Sequence, residues 1–200
     1  MALTIQDVVQ SQHCPGGMQA NMIAGLALRP PGHVLEFGVW QGDSLRFIAD
    51  RVDFVHGFDS FDGLPEAWVR DRAHPDTHPA GLFKTDPSQQ QWPENCRLWK
   101  GWFTDTIPLF KAEVEGPIGL LHVDSDLYSS ARTILFGLDD RIVPGTVIVF
   151  DELYAFPGHQ YPLWEEHEWK ALQEWLAECN REVRAVSRSS QYQATVQVTR

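Results

Sequence analysis

Three carboxylates stand where two apolar runs end. Asp124 follows Leu121-His122-Val123, and Asp151-Glu152 follow Val147-Ile148-Val149-Phe150. Runs this dense suit strands buried on both faces of a parallel sheet. Parallel strands open their C-terminal ends on one edge, where ligands of open α/β sheets bind. Asp124, Asp151 and Glu152 would converge there, with no basic residue beside them in the sequence. Carboxylates so placed repel one another, and a hard divalent cation such as Mg²⁺ resolves that. A bound cation would also lower the pKa of a nearby hydroxyl and make it a nucleophile at neutral pH. The plain alternative is that one acid caps a helix and another is a solvated loop charge.

The neighbouring residues leave choices open. Asp126 either caps the helix expected from about Ser129 or faces a substrate, and capping is the preferred reading. His122 lies inside an apolar strand, where a satisfied core histidine is the commoner case. His159, in Phe156-Pro157-Gly158-His159-Gln160-Tyr161, follows the acids on a loop and is a candidate general base or substrate contact.

A second constellation lies upstream. Glu36-x-Gly38-x-x-x-Gly42 follows an apolar run and precedes a helical pattern that starts at Ser44. Gly38 and Gly42 let the backbone turn sharply and approach a ligand, and unpaired N–H groups at a helix start favour a carboxylate. S-adenosylmethionine (SAM) carries a carboxylate and an ammonium, and Glu36 is placed to accept from the latter directly or through water. The glycines do not match the G-x-G-x-x-G of a dinucleotide site. The plain alternative is a tight strand–helix turn. Asp59, with Ser60, ends the next run, Val55-His56-Gly57-Phe58, where an acid commonly holds ribose hydroxyls. Lys100-Gly101-Trp102-Phe103 follows the third run. There Gly101 and Trp102 are candidates for the adenine wall, with core packing of Trp102 and Phe103 the alternative.

The elements needed to position these groups follow from the pattern. Strands are expected at His33–Val39, Phe54–Phe58, Arg97–Trp99, Ile118–Val123 and Thr146–Phe150, and helices at Met18–Leu28, Ser44–Val52, Ser129–Ile142 and Trp164–Cys179. Thr4 is a candidate cap for an earlier, weaker helix. Glu182–Ser187 and Gln193–Thr199 alternate around Ser189-Ser190 as a hairpin, so the last strand should be antiparallel. The expectation is an α/β, Rossmann-like methyltransferase fold with a seven-stranded, mostly parallel sheet, an antiparallel C-terminal hairpin and helices on both faces. One domain should span residues 1–200, with an N-terminal helical segment over 1–32. Residues 63–95, irregular and rich in proline, are expected to form a lid or substrate loop.

Composition narrows the partners. The net charge is −11, and no Lys/Arg cluster is present to neutralise phosphates, which argues against nucleic acid or an anionic membrane. Cys14, Cys96 and Cys179 match neither a zinc spacing nor a disulfide framework. The start of the sequence lacks the pattern of a secretory signal, and no apolar stretch reaches a membrane-spanning length of about 18 residues. A cytoplasmic location is the simplest expectation, and oligomeric state stays open.

Four motifs in order then resemble a known family. Leu35-Glu36-Phe37-Gly38-Val39-Trp40-Gln41-Gly42-Asp43-Ser44, Gly57-Phe58-Asp59-Ser60-Phe61-Asp62-Gly63-Leu64-Pro65, Lys100-Gly101-Trp102-Phe103-Thr104-Asp105-Thr106 and His122-Val123-Asp124-Ser125-Asp126-Leu127-Tyr128 resemble the macrocin O-methyltransferases. The resemblance covers roughly residues 34–152. It implies methyl transfer from SAM to a sugar or natural-product hydroxyl, often with Mg²⁺. It also implies Asp124, Asp151 and Glu152 as metal ligands, with Asp124 taking the hydroxyl proton. Glu152 stands where the family usually carries a second aspartate. The cofactor set expected is Glu36, Gly38, Gly42, Ser44, Asp59, Ser60, Gly101, Trp102 and Asp124, and the catalytic candidates are Asp124 and His159. The rivals are a metal-free methyltransferase with a His or Asp base, and a non-catalytic SAM-binding protein.

Overall fold

The computed structural model describes residues 3–200. Helix α1 (Ile5–Gln10) starts as its sequence dictates. Thr4 accepts from the Asp7 N–H at 3.2 Å, and Asp7 accepts from the Thr4 N–H at 2.8 Å, which closes a capping box. Strand β1 (Gln12–His13) and helix α2 (Gly17–Leu28) follow. The alternating core then runs β2 (His33–Phe37), α3 (Asp43–Ala49), β3 (Val55–Asp59), β4 (Cys96–Lys100), α4 (Phe103–Glu113), β5 (Ile118–Val123), α5 (Tyr128–Gly137) and β6 (Ile142–Phe150). Helix α6 (Glu168–Glu178) leads into the hairpin β7 (Val183–Arg188) and β8 (Ala194–Val198).

Among the described residues the sheet has eight strands in the order β1-β7-β8-β6-β5-β2-β3-β4. Strand β8 runs antiparallel to both β6 and β7, and every other pairing is parallel. The C-terminal ends of β2, β3, β5 and β6 therefore share one edge.

Period-two alternation divides the core. Leu35, Phe37, Ile148 and Phe150 pack on one face with Ile107 and Phe110 of α4, Ile134 of α5 and Trp175 of α6. Val34, Val147 and Val149 pack on the other with Met22 and Leu26 of α2 and Leu45 and Ile48 of α3. Helices thus cover both faces, as expected for a parallel sheet. No helix among the described residues is long and apolar enough to cross a membrane.

Several boundaries differ from the sequence reading. The eighth strand is the two-residue β1, paired with Ser187 and Arg188 of β7, so the N-terminal segment is not wholly helical. Helix α4 carries Pro108 in its interior, which removes one backbone donor and hides the helical signal. The Trp164–Cys179 pattern breaks at His167 (φ −113°, ψ −119°), leaving a short 3₁₀ turn before α6. Ile142 opens β6 instead of ending α5. Residues 63–95 are irregular apart from a 3₁₀ turn at Pro87–Gln89. Leu64 and Trp68 of that segment form a separate small core with Leu127 and Tyr161.

Candidate active site

The loop after β2 is shaped by its glycines. Gly38 has φ +90°, and a Cβ there would overlap the Asp124 carbonyl. Gly42 has φ +83°, and a Cβ there would strike the Trp92 ring. The two strand ends are thus in backbone contact, which only glycine permits. Asp59 ties the loop to β3. Its Oδ2 accepts from the Val39 and Trp40 N–H groups at 2.8 and 2.7 Å, and its Oδ1 accepts from the Phe61 N–H at 2.7 Å. A carboxylate has about four acceptor sites, so room for a ligand hydroxyl remains. Ser60 is held beside it, accepting from the Asp62 N–H at 3.1 Å.

One cavity of about 700 Å³ runs from this loop to the acidic strand ends. That size is usual for a small-molecule site. Gly38, Gly42, Ser44, Asp59, Ser60 and Trp102 line one part, and Asp124, Asp126, Asp151 and Glu152 line another. Trp102 is 41% exposed at the cavity wall, whereas Phe103 also packs edge-on against Phe37. Gly101 is not a wall residue; its N–H donates to the Asp59 carbonyl at 2.9 Å. Glu36 is also off the wall. It pairs in register with His122 on β5, and its Oε1 lies 2.9 Å from His122 Nδ1 with both side chains fully buried. Its other oxygen, Oε2, is buried without a hydrogen-bond partner, and of the two expected contacts of Glu36 with an ammonium group, the one through water is the one compatible with its place off the wall.

The acids are brought together, though not as the sequence suggested. Ligand atoms of His122, Asp124 and Asp151 all lie within 4.8 Å of one another. With Nδ1 engaged by Glu36, the buried Nε2 of His122 has no partner. Two carboxylates and an unpartnered imidazole nitrogen fit a divalent cation, and the nitrogen suits a first-row transition ion at least as well as Mg²⁺. Glu152 is outside this set, because its Oε2 faces Arg70 Nη2 at 3.8 Å.

Burial dominates the electrostatics. It pushes Asp124 well above the ordinary carboxylate range, reinforced by Asp151, Asp126, Glu36 and Glu168. Burial and then Asp151 push Asp126 up to about 7, with Arg70 opposing. Burial, Asp151 and Asp126 take Glu152 up to about 9. Asp151 is raised by burial, partly offset by His122 and a hydrogen bond from Gln193.

Two expectations are corrected here. Asp126 does not cap α5: the helix starts at Tyr128 without a side-chain cap, and Asp126, at φ +61°, lines the cavity. His159 is exposed, its ring packs against Tyr192 at 5.4 Å, and it is not among the residues lining the cavity.

Three residues were missed. Fully buried Glu168 accepts from the Ser125 N–H at 3.4 Å and the Glu152 N–H at 3.1 Å, pinning both acidic strand ends. Its signal was available, since it shares the apolar stripe of Leu172 and Trp175 at helical spacing. Arg70 and Gln193 reach the cavity wall from a loop and from the turn before β8, and no local pattern marks them.

The chain is 28% identical over 141 residues to an 8-demethyl-8-(2,3-dimethoxy-alpha-L-rhamnosyl)-tetracenomycin-C 4'-O-methyltransferase of Streptomyces olivaceus, covering 61% of this chain and 53% of that protein. It is 26% identical over 177 residues to a mycinamicin III 3''-O-methyltransferase of Micromonospora griseorubida, covering 76% and 66%. The chain thus spans between about half and two-thirds of these relatives. A crystal structure of calicheamicin methyltransferase superposes with a TM-score of 0.69 at 24% identity, covering 90% of this chain and 76% of the other, and shares the fold. The sequence model of the methyltransferase domain matches residues 35–153, more than half of the chain and the span that holds both the glycine loop and the acidic strand ends. The chain belongs to this methyltransferase-domain family.

Proposed function

We propose that the chain transfers a methyl group from SAM to a hydroxyl of a sugar or related small molecule. The observation that carries this reading is the continuity of one cavity from the Gly38–Gly42 loop and Asp59 to Asp124 and Asp151. A methyl donor and an acceptor can therefore meet in one continuous space. The names of the two relatives, O-methyltransferases of a rhamnosyl-tetracenomycin and of mycinamicin III, support the same acceptor class.

In this reading the two glycines let the backbone lie close to the donor, and Asp59 faces its ribose. Trp102 and Phe103 flank the adenine. The acceptor hydroxyl faces Asp124, which takes its proton as the oxygen–methyl bond forms and the methyl–sulfur bond breaks. Proximity and orientation of the two substrates provide much of the acceleration. A divalent cation held by His122, Asp124 and Asp151, when bound, supplies charge that keeps the carboxylates ionised and acidifies the hydroxyl. Residues 63–95 contribute Leu64, Trp68, Arg70 and Phe83 to the wall and act as the substrate loop.

Calorimetric titration of the pure protein with SAM and S-adenosylhomocysteine tests the reading, and absence of binding by both ends it. Arg70 favours a second reading, since it brings a protein cation to the acids. Undiminished turnover in the presence of a chelator would select that metal-free version.

A further inference from the structure

Five buried polar atoms without a hydrogen-bond partner belong to four residues at the acidic end of the cavity. They are Nε and Nη2 of Arg70, Oε2 of Glu152, Oγ of Ser125 and Oε1 of Gln193. Nη2 of Arg70 and Oε2 of Glu152 face each other at 3.8 Å, beyond hydrogen-bond reach; buried polar groups are normally hydrogen-bonded, so atoms left without such a bond on one wall of a cavity need an explanation. Donors and acceptors are mixed here, and a hydroxyl can answer both, because it donates once and accepts twice.

Arg70 is held in place. Its guanidinium carbon lies 4.6, 4.5 and 5.0 Å from the ring centroids of Trp68, Tyr161 and Tyr192. Trp68 Nε1 donates to the Tyr161 hydroxyl at 3.1 Å, which braces two of these rings. Two segments distant in sequence, at Tyr161 and Tyr192, thus join the neighbouring Trp68 around one cation. Among the described residues it is the one Lys or Arg on a wall that also carries Asp43, Asp59, Asp124, Asp126, Asp151 and Glu152. A phosphate or carboxylate on the acceptor would find one cation among six acids, whereas an uncharged polyol can donate to the acids and accept from Arg70.

We propose that Arg70 is a specificity residue for the acceptor: with Glu152 and Gln193 it holds a hydroxyl next to the one methylated, so the acceptor is an uncharged hydroxylated ring such as a glycosyl unit. This rests on the methyl-transfer reading.

The test uses methyl α-L-rhamnoside and its monodeoxy analogues as probes, catechol as a non-sugar control, and calorimetry for SAM. The wild-type protein should methylate the rhamnoside and lose about tenfold or more in kcat/KM with at least one deoxy analogue. Arg70→Gln should raise KM for the rhamnoside about tenfold or more, change kcat and SAM affinity little, and erase the deoxy penalty. Arg70→Lys keeps the charge on the rings but not the fork, so it should fold normally and also lose the penalty. A variant that keeps the wild-type KM or the deoxy penalty overturns the proposal. So does a wild-type protein that binds SAM yet leaves every rhamnoside untouched, whether or not it methylates catechol. Failure of the wild type to bind SAM brings down the methyl-transfer reading itself, and this proposal with it.

Discussion

Oε1 of Glu36 lies 2.9 Å from Nδ1 of His122, and neither side chain reaches solvent. The contact fixes the imidazole ring and leaves Nε2 without a hydrogen-bond partner. Carboxylates that orient a ligating histidine typically govern metal affinity by about 10–100-fold. Glu36→Gln is therefore expected to weaken Mn²⁺ binding by about that factor, with a smaller effect on SAM. Equal Mn²⁺ affinity in the two proteins would refute a metal role for His122.

Asp59 joins two loops through three backbone N–H groups. Hydrogen bonds to a charged acceptor contribute about 1.5–3 kcal/mol each. Asp59→Ala should lower unfolding stability by about 3 kcal/mol or more and abolish SAM binding. Asp59→Asn keeps one acceptor oxygen and should lose less stability. Denaturant titration with parallel calorimetry separates the two losses.

Replacing Glu168 strands the Ser125 and Glu152 N–H groups inside the core. Each unpaired group costs about 1–3 kcal/mol. Glu168→Leu should lower the urea midpoint without a change in m-value and reduce turnover, because both acidic strand ends move. A stable variant with full activity would show that the clamp is dispensable.

The buried acids set a pH dependence with a definite sign. Asp126 and Glu152 sit near 7 and 9 in the folded protein, above their ordinary values of 3.8 and 4.5. Their favourable contribution is complete at low pH, where both states are protonated, and is lost as pH rises through the folded values. His56 works oppositely. Burial holds it near 4, so its contribution is present above about 6.5 and fades as pH falls. Between pH 6.5 and 9 the acids act alone, and the chelated protein should become progressively less stable. Added divalent cation should flatten that decline. A chelated protein whose urea midpoint rises across this window contradicts the assignment.

His159 lies off the cavity wall. His159→Ala should leave kcat and KM within about twofold of the parent, consistent with a surface change. A hundredfold loss of kcat would return it to the reaction.

The frame of the site was legible because its logic is local. Dense apolar runs name strands buried on both faces, and Gly38, Gly42 and Asp59 recur at the ends of consecutive strands. Asp124 and Asp151 follow from the same rule. What sequence concealed depends on long-range packing. The direction of Glu36 is set by strand register, and Arg70 reaches the acids over a fold that no spacing encodes. Glu152 was grouped with its neighbour Asp151 by adjacency, yet successive positions face different surroundings. Glu168 was the avoidable miss, a carboxylate written into the apolar stripe of its own helix.

The small core of Leu64, Trp68, Leu127 and Tyr161 shares no residue with the two larger ones. The stretch from Leu64 to Leu82 is therefore secured largely by a small core of its own, whose opening free energy can be far below that of the sheet, whereas Trp92 packs against one of the larger cores. The amides of that stretch should exchange with deuterium while β5 and β6 remain protected, and the site would then admit bulky molecules without unfolding the protein that shapes it.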